Sequence, residues 1–471
     1  MFCQLETLQH CFPPNLRQFL NELPESLDET YERILKGINK AQKEDARRML
    51  QCLTVAARPL RVEELAELLA FDFQATSDGG IPALRADWRW NDEEQAVLST
   101  CSSLIAIVRD GDSRVVQFSH FSVKEYLTSR RLASSVGDVS RFYVNLNAAH
   151  TILARACLGT LLRLDEDAGN GGSEGFPLVE YAAQHWVEHA QFENVSSRLQ
   201  DGMDDLFDGS KPHFSAWLQV HDIDERWDDF GDIRRERVGS PLYYAAFCGF
   251  HDLADRLIMK HPEQVNSLGG FVLAPLPAAL SNRHFRVADL LWKHGAVVDV
   301  RDEEEWTPLH AAGRSGSVDI MLWLLNHGAN ARAQSYKRRT PLHEAAFTAE
   351  LGAVQVLLKH NAYINLQDIY GYTSLHDVLV WAYTSREGNI VEIVRRLLEH
   401  GADPNIRLRN GSTPLHKASS HRSLEVVRLL LSYGANIDEK DDEGITPFQV
   451  ASSHGYDEIT KLLLEHGAVS L

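Results

Sequence analysis

The sequence is poor in cysteine and has no long apolar run. Its six cysteines among 471 residues are scattered and form no C-x-x-C pair. That usage indicates reduced thiols in a cytosolic or nuclear protein, where each cysteine acts as a small buried hydrophobe. The first residues show no basic segment followed by an apolar stretch, and no apolar run nearby could span a bilayer. We therefore expect no membrane as a partner and a cytoplasmic location, with the nucleus as the alternative.

A phosphate-binding loop is also missing. The pattern G-x-x-x-x-G-K-S/T does not occur, and the glycine-rich stretch 169–175 lacks the lysine that would stand beside a bound phosphate. The 47 Lys and Arg residues are outnumbered by 66 Asp and Glu, and the net charge of -19 opposes attraction to nucleic acid. We expect no nucleotide, no other cofactor and no nucleic acid partner.

A repeated phrase fills the carboxy-terminal half, residues 238–471. The phrase is Thr-Pro-Leu-His or a close variant, and the second residues of its copies are Pro241, Pro275, Pro308, Pro341, Ser374, Pro414 and Pro447. Their successive spacings are 34, 33, 33, 33, 40 and 33 residues. A second phrase, His-Gly-Ala or a variant, closes most units. Two linked phrases at one period predict about seven stacked helical repeats.

Each unit contains residues that begin and end helices. Thr can cap free N–H groups, and Pro follows at the first helical position, where its missing N–H costs nothing. Small residues such as Ala311 and Ala312 allow the first helix to pack closely, and paired leucines give the second helix a buried stripe. Gly, or Asn361 in one unit, should end that helix in a left-handed conformation. The fifth unit is seven residues longer than the period, which predicts a longer loop around 381–389, and the degenerate first unit is interpreted as a cap.

These units resemble the ankyrin repeat over about half of the chain. In ankyrin proteins of this type, partners lie on the concave face and contact the hairpin tips and exposed positions of the first helix. The resemblance therefore implies a binding protein and not an enzyme. The corresponding positions include Glu303 and Glu304, and those with aromatic or basic side chains in the third to fifth units are the candidate partner-binding residues. They are Trp306, Arg314, Tyr336, Lys337, Arg339, Phe347, Tyr370, Tyr372 and Trp381.

Such residue types most often dominate binding energy. Because aromatic rings and positive charge coincide at mid-array, we expect an acidic, partly apolar surface on the partner protein.

Histidine recurs in the repeats at His310, His343, His376 and His416. Zinc ligands must converge on one point at about 2 Å, whereas these copies are one repeat apart, so each is interpreted as bonding the neighbouring loop. Farther upstream, His185-x-x-Glu188-His189 matches the H-x-x-E-H pattern of zinc proteases. No separate third ligand can be assigned, and we expect no metal.

The amino-terminal half predicts helices followed by a hairpin. Helical spacing occurs in 46–57 and 62–69, and two β-rich runs, 103–108 and 114–118, surround a turn at 110–112. Two further helical stretches are predicted around the glycine-rich loop. This order of elements predicts a winged-helix-like domain and a helical domain.

The phrases LPESLDETYERIL, RPLRVEELAELLA and FSHFSVKEYLTS resemble the region that follows the nucleotide-binding domain in fungal NACHT-type (STAND) signalling ATPases. In that family the winged helix packs within the protein in a regulatory role and does not read DNA. The resemblance implies the regulatory, ligand-sensing half of a NACHT-ankyrin receptor without its ATPase domain. The alternative is a transcription regulator that binds DNA through the winged helix, although Arg58, Arg61, Arg114 and Lys124 are few and diluted by glutamates.

Together these observations predict a mainly α chain with a winged-helix-like and helical amino-terminal region and an ankyrin-repeat solenoid. The expected segments are a helical segment after the missing NACHT domain (1–45), a winged-helix-like domain (46–135), a helical domain (136–200), an acidic connector (201–237) and the repeats (238–471). The connector has 11 acidic and 5 basic side chains, and its tryptophans predict docking on the first repeat.

Overall fold

The computed structural model describes residues 27–73, 80–85, 88, 92–101, 103–135, 137–164, 175–224, 238–380, 387–421 and 423–469. These residues are mainly helical, and they include a small antiparallel sheet near the amino terminus. The chain forms two compact units that divide between Lys260 and His261, so the first repeat groups with the amino-terminal half. The predicted fold class is confirmed. Within the described ranges, no helix is long and apolar enough to cross a membrane.

The amino-terminal unit is built from short helices and five strands in its described part. Its helices are α1 (Leu27–Gly37), α2 (Lys43–Val55), α3 (Val62–Leu69), α4 (Glu93–Cys101), α5 (Phe121–Leu127), α6 (Arg130–Ala133), α7 (Leu146–Leu161), α8 (Val179–Gln191), α9 (Gln200–Leu206), α10 (His213–Val220), α11 (Pro241–Phe247) and α12 (His251–Lys260). Its strands are β1 (Leu60–Arg61), β2 (Phe71–Asp72), β3 (Ala83–Leu84), β4 (Ile105–Asp110) and β5 (Ser113–Phe118).

The winged-helix-like part combines α2 and α3 with a sheet of order β1-β5-β4. The predicted hairpin is present, and Gly111 in its turn has a φ of 58° that suits glycine. Leu60 of β1 pairs with Val116 of β5, and both are buried together with Leu50 and Leu65. The two-residue strands β2 and β3 were not predicted, because they are too short to show an alternating pattern.

The first repeat packs on the helical part that precedes it. The ring of Trp217 in α10 lies 6.2 Å from that of Tyr244 in α11, which confirms the predicted docking for this part of the connector. The Gln191 side-chain amide donates to the Cys248 carbonyl at 2.7 Å. The interpretation of the first repeat as a degenerate cap is therefore wrong, because a cap would turn a polar face to water.

The second unit contains the second to seventh repeats, with one helix pair in each. The pairs are α13 (Pro275–Ser281) with α14 (Phe285–Lys293), α15 (Pro308–Ser315) with α16 (Val318–Asn326), α17 (Pro341–Phe347) with α18 (Leu351–Lys359), α19 (Ser374–Val380) with α20 (Glu387–Glu399), α21 (Pro414–Ser419) with α22 (Leu424–Ser432), and α23 (Pro447–Ser453) with α24 (Asp457–Glu465). Residues 381–386 of the fifth repeat lie outside the described ranges. Part of the predicted loop extension is helical, since α20 has 13 residues against nine in α18 and in α22.

Local sequence explains the start and the close packing of these helices. Thr307 caps α15 and Pro308 follows at its first turn, as predicted. Ala312 is buried, but Ala311 is exposed. Gly313 makes a close backbone approach, since a Cβ atom there would stand 2.8 Å from the Pro341 carbonyl oxygen of the next repeat. The predicted left-handed residue at the end of α18, Asn361, has a φ of 55°.

Candidate partner-binding surface of the repeats

A five-residue turn, here called the tip, precedes the first helix in the second to seventh repeats. The tips of the third, fourth and fifth repeats are residues 302–306, 335–339 and 368–372. The first residue of each donates its N–H to the carbonyl of the fifth, at 3.1, 2.9 and 2.8 Å respectively. Asp302 and Asp368 stiffen two tips further, since one carboxylate oxygen of each accepts two more N–H groups at 2.8 to 2.9 Å. These backbones are therefore preorganised.

Hydrogen bonds also join neighbouring tips. The Tyr336 N–H donates to the Glu304 carbonyl at 2.9 Å, and the Ile369 N–H donates to the Lys337 carbonyl at 3.1 Å. Three successive tips thus form one backbone strip, and their side chains have fixed spacing.

Three of the four repeated histidines, His310, His343 and His416, link their repeat to the next, as predicted. Nδ1 of His310 accepts the N–H of its cap residue at 3.1 Å, so Nε2 carries the proton and donates to the Arg339 carbonyl at 3.0 Å. His343 and His416 reach the next tip in the same way, at 3.2 and 3.0 Å. Burial lowers the pKa of His310 and of His343 to about 4, so both are neutral at physiological pH. In the described part of the chain, Nε2 of His376 has no hydrogen-bond partner.

Two of the predicted aromatic rings are widely open to solvent. Tyr336 is 75 % exposed and Tyr370 is 54 % exposed. Among the described residues no cation lies over either ring, whereas the other predicted rings carry a cation from the chain itself. These pairs are Arg314 over Trp306 at 5.6 Å, Arg339 over Phe347 at 5.6 Å and Lys417 over Tyr372 at 5.9 Å. Trp381 lies outside the described residues. Tyr336 and Tyr370 are the rings best placed to meet a partner.

A shallow depression of about 330 Å³ lies between the third and fourth tips. It is lined by Glu303, Glu304, Trp306, Ser335, Tyr336 and Lys337. The lining therefore combines two aromatic rings with two carboxylates and one ammonium group. A partner side chain that entered this depression would meet both apolar surface and net negative charge.

The structure corrects the role predicted for Arg339. Its side chain is 16 % exposed and lies 2.5 Å from Glu344, 3.3 Å from Asp368 and 3.2 Å from Asp377. Each of these carboxylates is 2 % exposed. The guanidinium is therefore committed to a buried ionic cluster that joins the fourth and fifth repeats, and it is not available as a surface contact.

This cluster contains more acid than base. Arg314 also approaches Glu344, at 3.7 Å, but one carboxylate oxygen of Asp377 has no hydrogen-bond partner among the described residues. Burial raises the pKa of Asp377 to about 7, Arg339 opposes that shift, and Asp368 and Glu344 reinforce it. The nearby carboxylates in turn raise the pKa of Arg339 above its usual value, although burial alone would lower it. Sequence reasoning missed Glu344 and Asp368, because the signal lies in their spatial relation to one arginine.

The exposed charges on the tips and first helices of the third and fourth repeats balance each other. They are Glu303, Glu304, Glu305, Arg314, Lys337 and Arg338. On the tips and first helices the expected excess of positive charge is therefore absent, because Arg339 is neutralised inside the cluster and three glutamates stand beside the remaining cations.

In the amino-terminal unit, His189 belongs to a buried hydrogen-bonded chain. Its Nε2 lies 2.8 Å from the Tyr181 hydroxyl, and its Nδ1 lies 3.0 Å from Nδ1 of His150. Burial, aided by His150 and His185, lowers the pKa of His189 to about 3. His185 instead approaches Glu188 at 3.6 Å. Across the described residues, no group of three His, Cys, Asp or Glu side chains is arranged to hold a metal ion.

Three of the four basic side chains that the sequence offered for DNA binding in the winged-helix-like part, Arg58, Arg61 and Arg114, are paired internally. Arg58 and Arg61 both bind the buried Glu64, at 2.7 and 2.9 Å. Arg114 pairs with Glu94. Since these three arginines already have carboxylate partners, the geometry gives little support to a phosphate-binding face.

Comparison with known proteins agrees with both halves of this description. A family model of ankyrin repeats matches residues 242–335, 276–368 and 379–470. A second model, the winged helix domain of GPI inositol-deacylase, matches residues 31–137. The repeats are therefore ankyrin repeats, and the amino-terminal match fits the expected winged-helix-like domain.

Two curated proteins are similar to parts of this chain. "Azaphilone pigments biosynthesis cluster protein L" of Monascus ruber is 31 % identical over 302 residues, which cover 59 % of this chain and 61 % of that protein. "Alpha-latrocrustotoxin-Lt1a" of Latrodectus tredecimguttatus is 34 % identical over 80 residues, which cover 17 % of this chain and 6 % of the toxin. The match thus spans less than two thirds of either relative.

Among solved structures, the ankyrin repeat domain of Bcl-3, a member of the IkappaB protein family, aligns with 28 % identity and a TM-score of 0.43. The alignment covers 49 % of this chain and 100 % of that domain.

Proposed function

We propose that this chain is an interaction scaffold that binds a protein partner on the concave face of its ankyrin repeats, at the tips of the third to fifth repeats. One observation carries the proposal: Tyr336 and Tyr370 are exposed on hydrogen-bonded tips. An aromatic ring on a rigid backbone contributes a large contact area and loses little conformational entropy when a partner binds.

The wider role we propose is that of the regulatory, ligand-sensing half of a NACHT-ankyrin signalling protein in the cytoplasm. Support comes from the order of the parts, since a winged-helix match at 31–137 precedes the repeats. The internal pairing of Arg58, Arg61 and Arg114 suits regulatory packing better than contact with DNA phosphates. The proposal assigns binding to this chain and no catalytic step.

A pull-down from cell extract tests the binding site. The test variant changes Trp306→Ala and Tyr336→Ala, and the matched control changes Trp292→Ala and Tyr433→Ala. Trp292 and Tyr433 are 42 % and 43 % exposed, but they lie in and directly after second helices, away from the tips. We expect the wild type and the control to capture the partner. The test variant should lose the partner, because truncation of each central anchor should remove roughly 2 kcal/mol of binding free energy.

Thermal melts of all three proteins check that they are folded. If the folded test variant still captures every partner of the wild type, the tips are not the binding site and the proposal fails.

A further inference from the structure

We infer that the depression between the third and fourth tips binds an arginine side chain in an extended segment of the partner protein. The inference rests on the proposed function and adds the chemistry of the partner, which is opposite in charge to the expectation from sequence. Three features of the depression support it: an open aromatic ring, two exposed carboxylates and a fixed backbone.

The first feature is the open ring of Tyr336. Along the same surface, the rings of Trp306 and Tyr372 already hold a cation of the chain, at 5.6 and 5.9 Å. Tyr336 is 75 % exposed and, within the described residues, has no such cation. A guanidinium group can stack on an aromatic face through cation–π attraction, and arginine does so more often than lysine. The face of Tyr336 thus offers a partner the contact that neighbouring rings make within the chain.

The second feature is a pair of unused carboxylates. Glu303 and Glu304 are exposed and line the same depression. In the described part of the chain, neither one forms a salt bridge. A planar guanidinium has five N–H donors and can bind a carboxylate through two of them while its flat face rests on a ring. Arginine therefore satisfies both features at once, which neither an apolar side chain nor an acidic one can do.

The third feature is the fixed spacing between ring and carboxylates. The backbone of Glu304 accepts the Tyr336 N–H at 2.9 Å, so the two residues cannot drift apart without breaking the strip. Preorganisation of this kind reduces the entropy lost on binding.

The charge of the lining decides the sign of the partner. Lys337 is the single cation among the six lining residues, and it is outnumbered by Glu303 and Glu304. The net charge of -19 on the whole chain adds a long-range attraction for basic segments. An acidic segment would instead meet two carboxylates at close range.

A display library of short random peptides tests the inference. Peptides are selected on the full chain, and binders of the Glu303→Gln, Glu304→Gln variant are removed. We expect the survivors to share an arginine. Replacing that arginine with citrulline, which keeps the shape but removes the charge, should weaken binding about tenfold.

Two further variants separate charge from shape. Lys337→Met should strengthen binding of the selected peptides about threefold, because it removes the like charge, whereas an acidic peptide would bind this variant more weakly. Tyr336→Leu should weaken binding, and Tyr433→Leu, a change in an exposed tyrosine away from the tips, should not.

Selection of acidic peptides, or failure to obtain any peptide that requires Glu303 and Glu304, would overturn the inference. An acidic consensus that still requires Tyr336 would contradict the arginine assignment and leave the proposed binding surface intact. Retention of every partner by the Trp306→Ala, Tyr336→Ala chain would instead contradict the proposed function itself.

Discussion

Replacing Arg339 with methionine should destabilise the repeat array by roughly 3 kcal/mol at alkaline pH. The change keeps the aliphatic part of the side chain and removes a guanidinium that lies within 3.3 Å of Glu344, Asp368 and Asp377. All three carboxylates are 2 % exposed, so water cannot replace the lost cation. Because Arg314 lies 3.7 Å from Glu344 and compensates in part, the cost should fall at the low end of the roughly 3 to 5 kcal/mol typical of broken buried pairs.

Asp377→Asn is the matched control within the same cluster. Asparagine keeps an oxygen that can accept from Arg339 and removes one of three negative charges, so stability at alkaline pH should be unchanged or higher. The pKa of Asp377 is raised from 3.8 to about 7 in the folded chain. Folding therefore favours the protonated form, and the stabilisation from this group is present below the unfolded pKa and is lost as the pH rises through about 7.

Urea denaturation followed by circular dichroism measures the effect for both single variants and for the double variant. The loss of unfolding free energy caused by Arg339→Met should shrink as the pH falls below 7, because protonation of Asp377 removes a negative charge that has lost its partner. The double variant should recover part of the loss. If Arg339→Met costs less than about 1 kcal/mol, or if Asp377→Asn costs as much as Arg339→Met, the cluster is not energetically coupled as described.

Three further predictions concern local geometry and use the same denaturation assay. Gly313→Ala should destabilise the array by about 1 to 2 kcal/mol, because its Cβ atom would stand 2.8 Å from the Pro341 carbonyl oxygen. A gain in stability would instead show that the helices can separate at no energetic cost. Arg338→Gly should stabilise the array by about 0.5 to 1 kcal/mol, because Arg338 has a φ of 58°, which glycine adopts more readily than a residue with a Cβ atom. Arg338→Ala keeps the Cβ atom and should show no gain in stability. His343 has its pKa lowered by burial to about 4, so its contribution to stability is lost as the pH falls from 6.5 towards 4. His343→Gln introduces the residue type that the last repeat uses at the same position, where Gln449 accepts the cap N–H at 3.0 Å. This change should reduce the loss of stability between about pH 7 and 5 by about 2 kcal/mol. An unchanged pH dependence of stability would refute the contribution assigned to His343.

The fold was predictable because its signals are local. A threonine and a proline stand in adjacent positions with small residues shortly after them, and their repetition fixes helix starts and period together. The same local signals predicted close packing at Ala311 in the third repeat. In the structure Ala311 is exposed, and Gly313 makes the tight approach. The weak motif of the first repeat predicted a cap, whereas the tryptophans of the connector correctly predicted that Trp217 packs against that repeat.

The candidate surface was predictable in its aromatic part and not in its charges. Tyr336 and Tyr370, at the second and third positions of their tips, are both exposed, as expected from sequence. The surroundings of Arg339, in contrast, depend on two carboxylates supplied by the next repeat. A basic residue in a tip can therefore be neutralised inside the array, as Arg339 is, according to which acids the next repeat places within reach.

The position of Arg339 also limits what a binding experiment can show. Its carbonyl accepts bonds from Ser335 at 2.9 Å and from His310 at 3.0 Å, while its side chain holds acids of the fourth and fifth repeats. Removing Arg339 would loosen the tip that carries Tyr336, and partner binding would fall even though Arg339 touches no partner. Loss of binding in an Arg339 variant is thus no evidence of contact. Contact is established by Tyr336→Leu, which should weaken binding while leaving the urea midpoint of the array unchanged, because an exposed ring contributes little to folding.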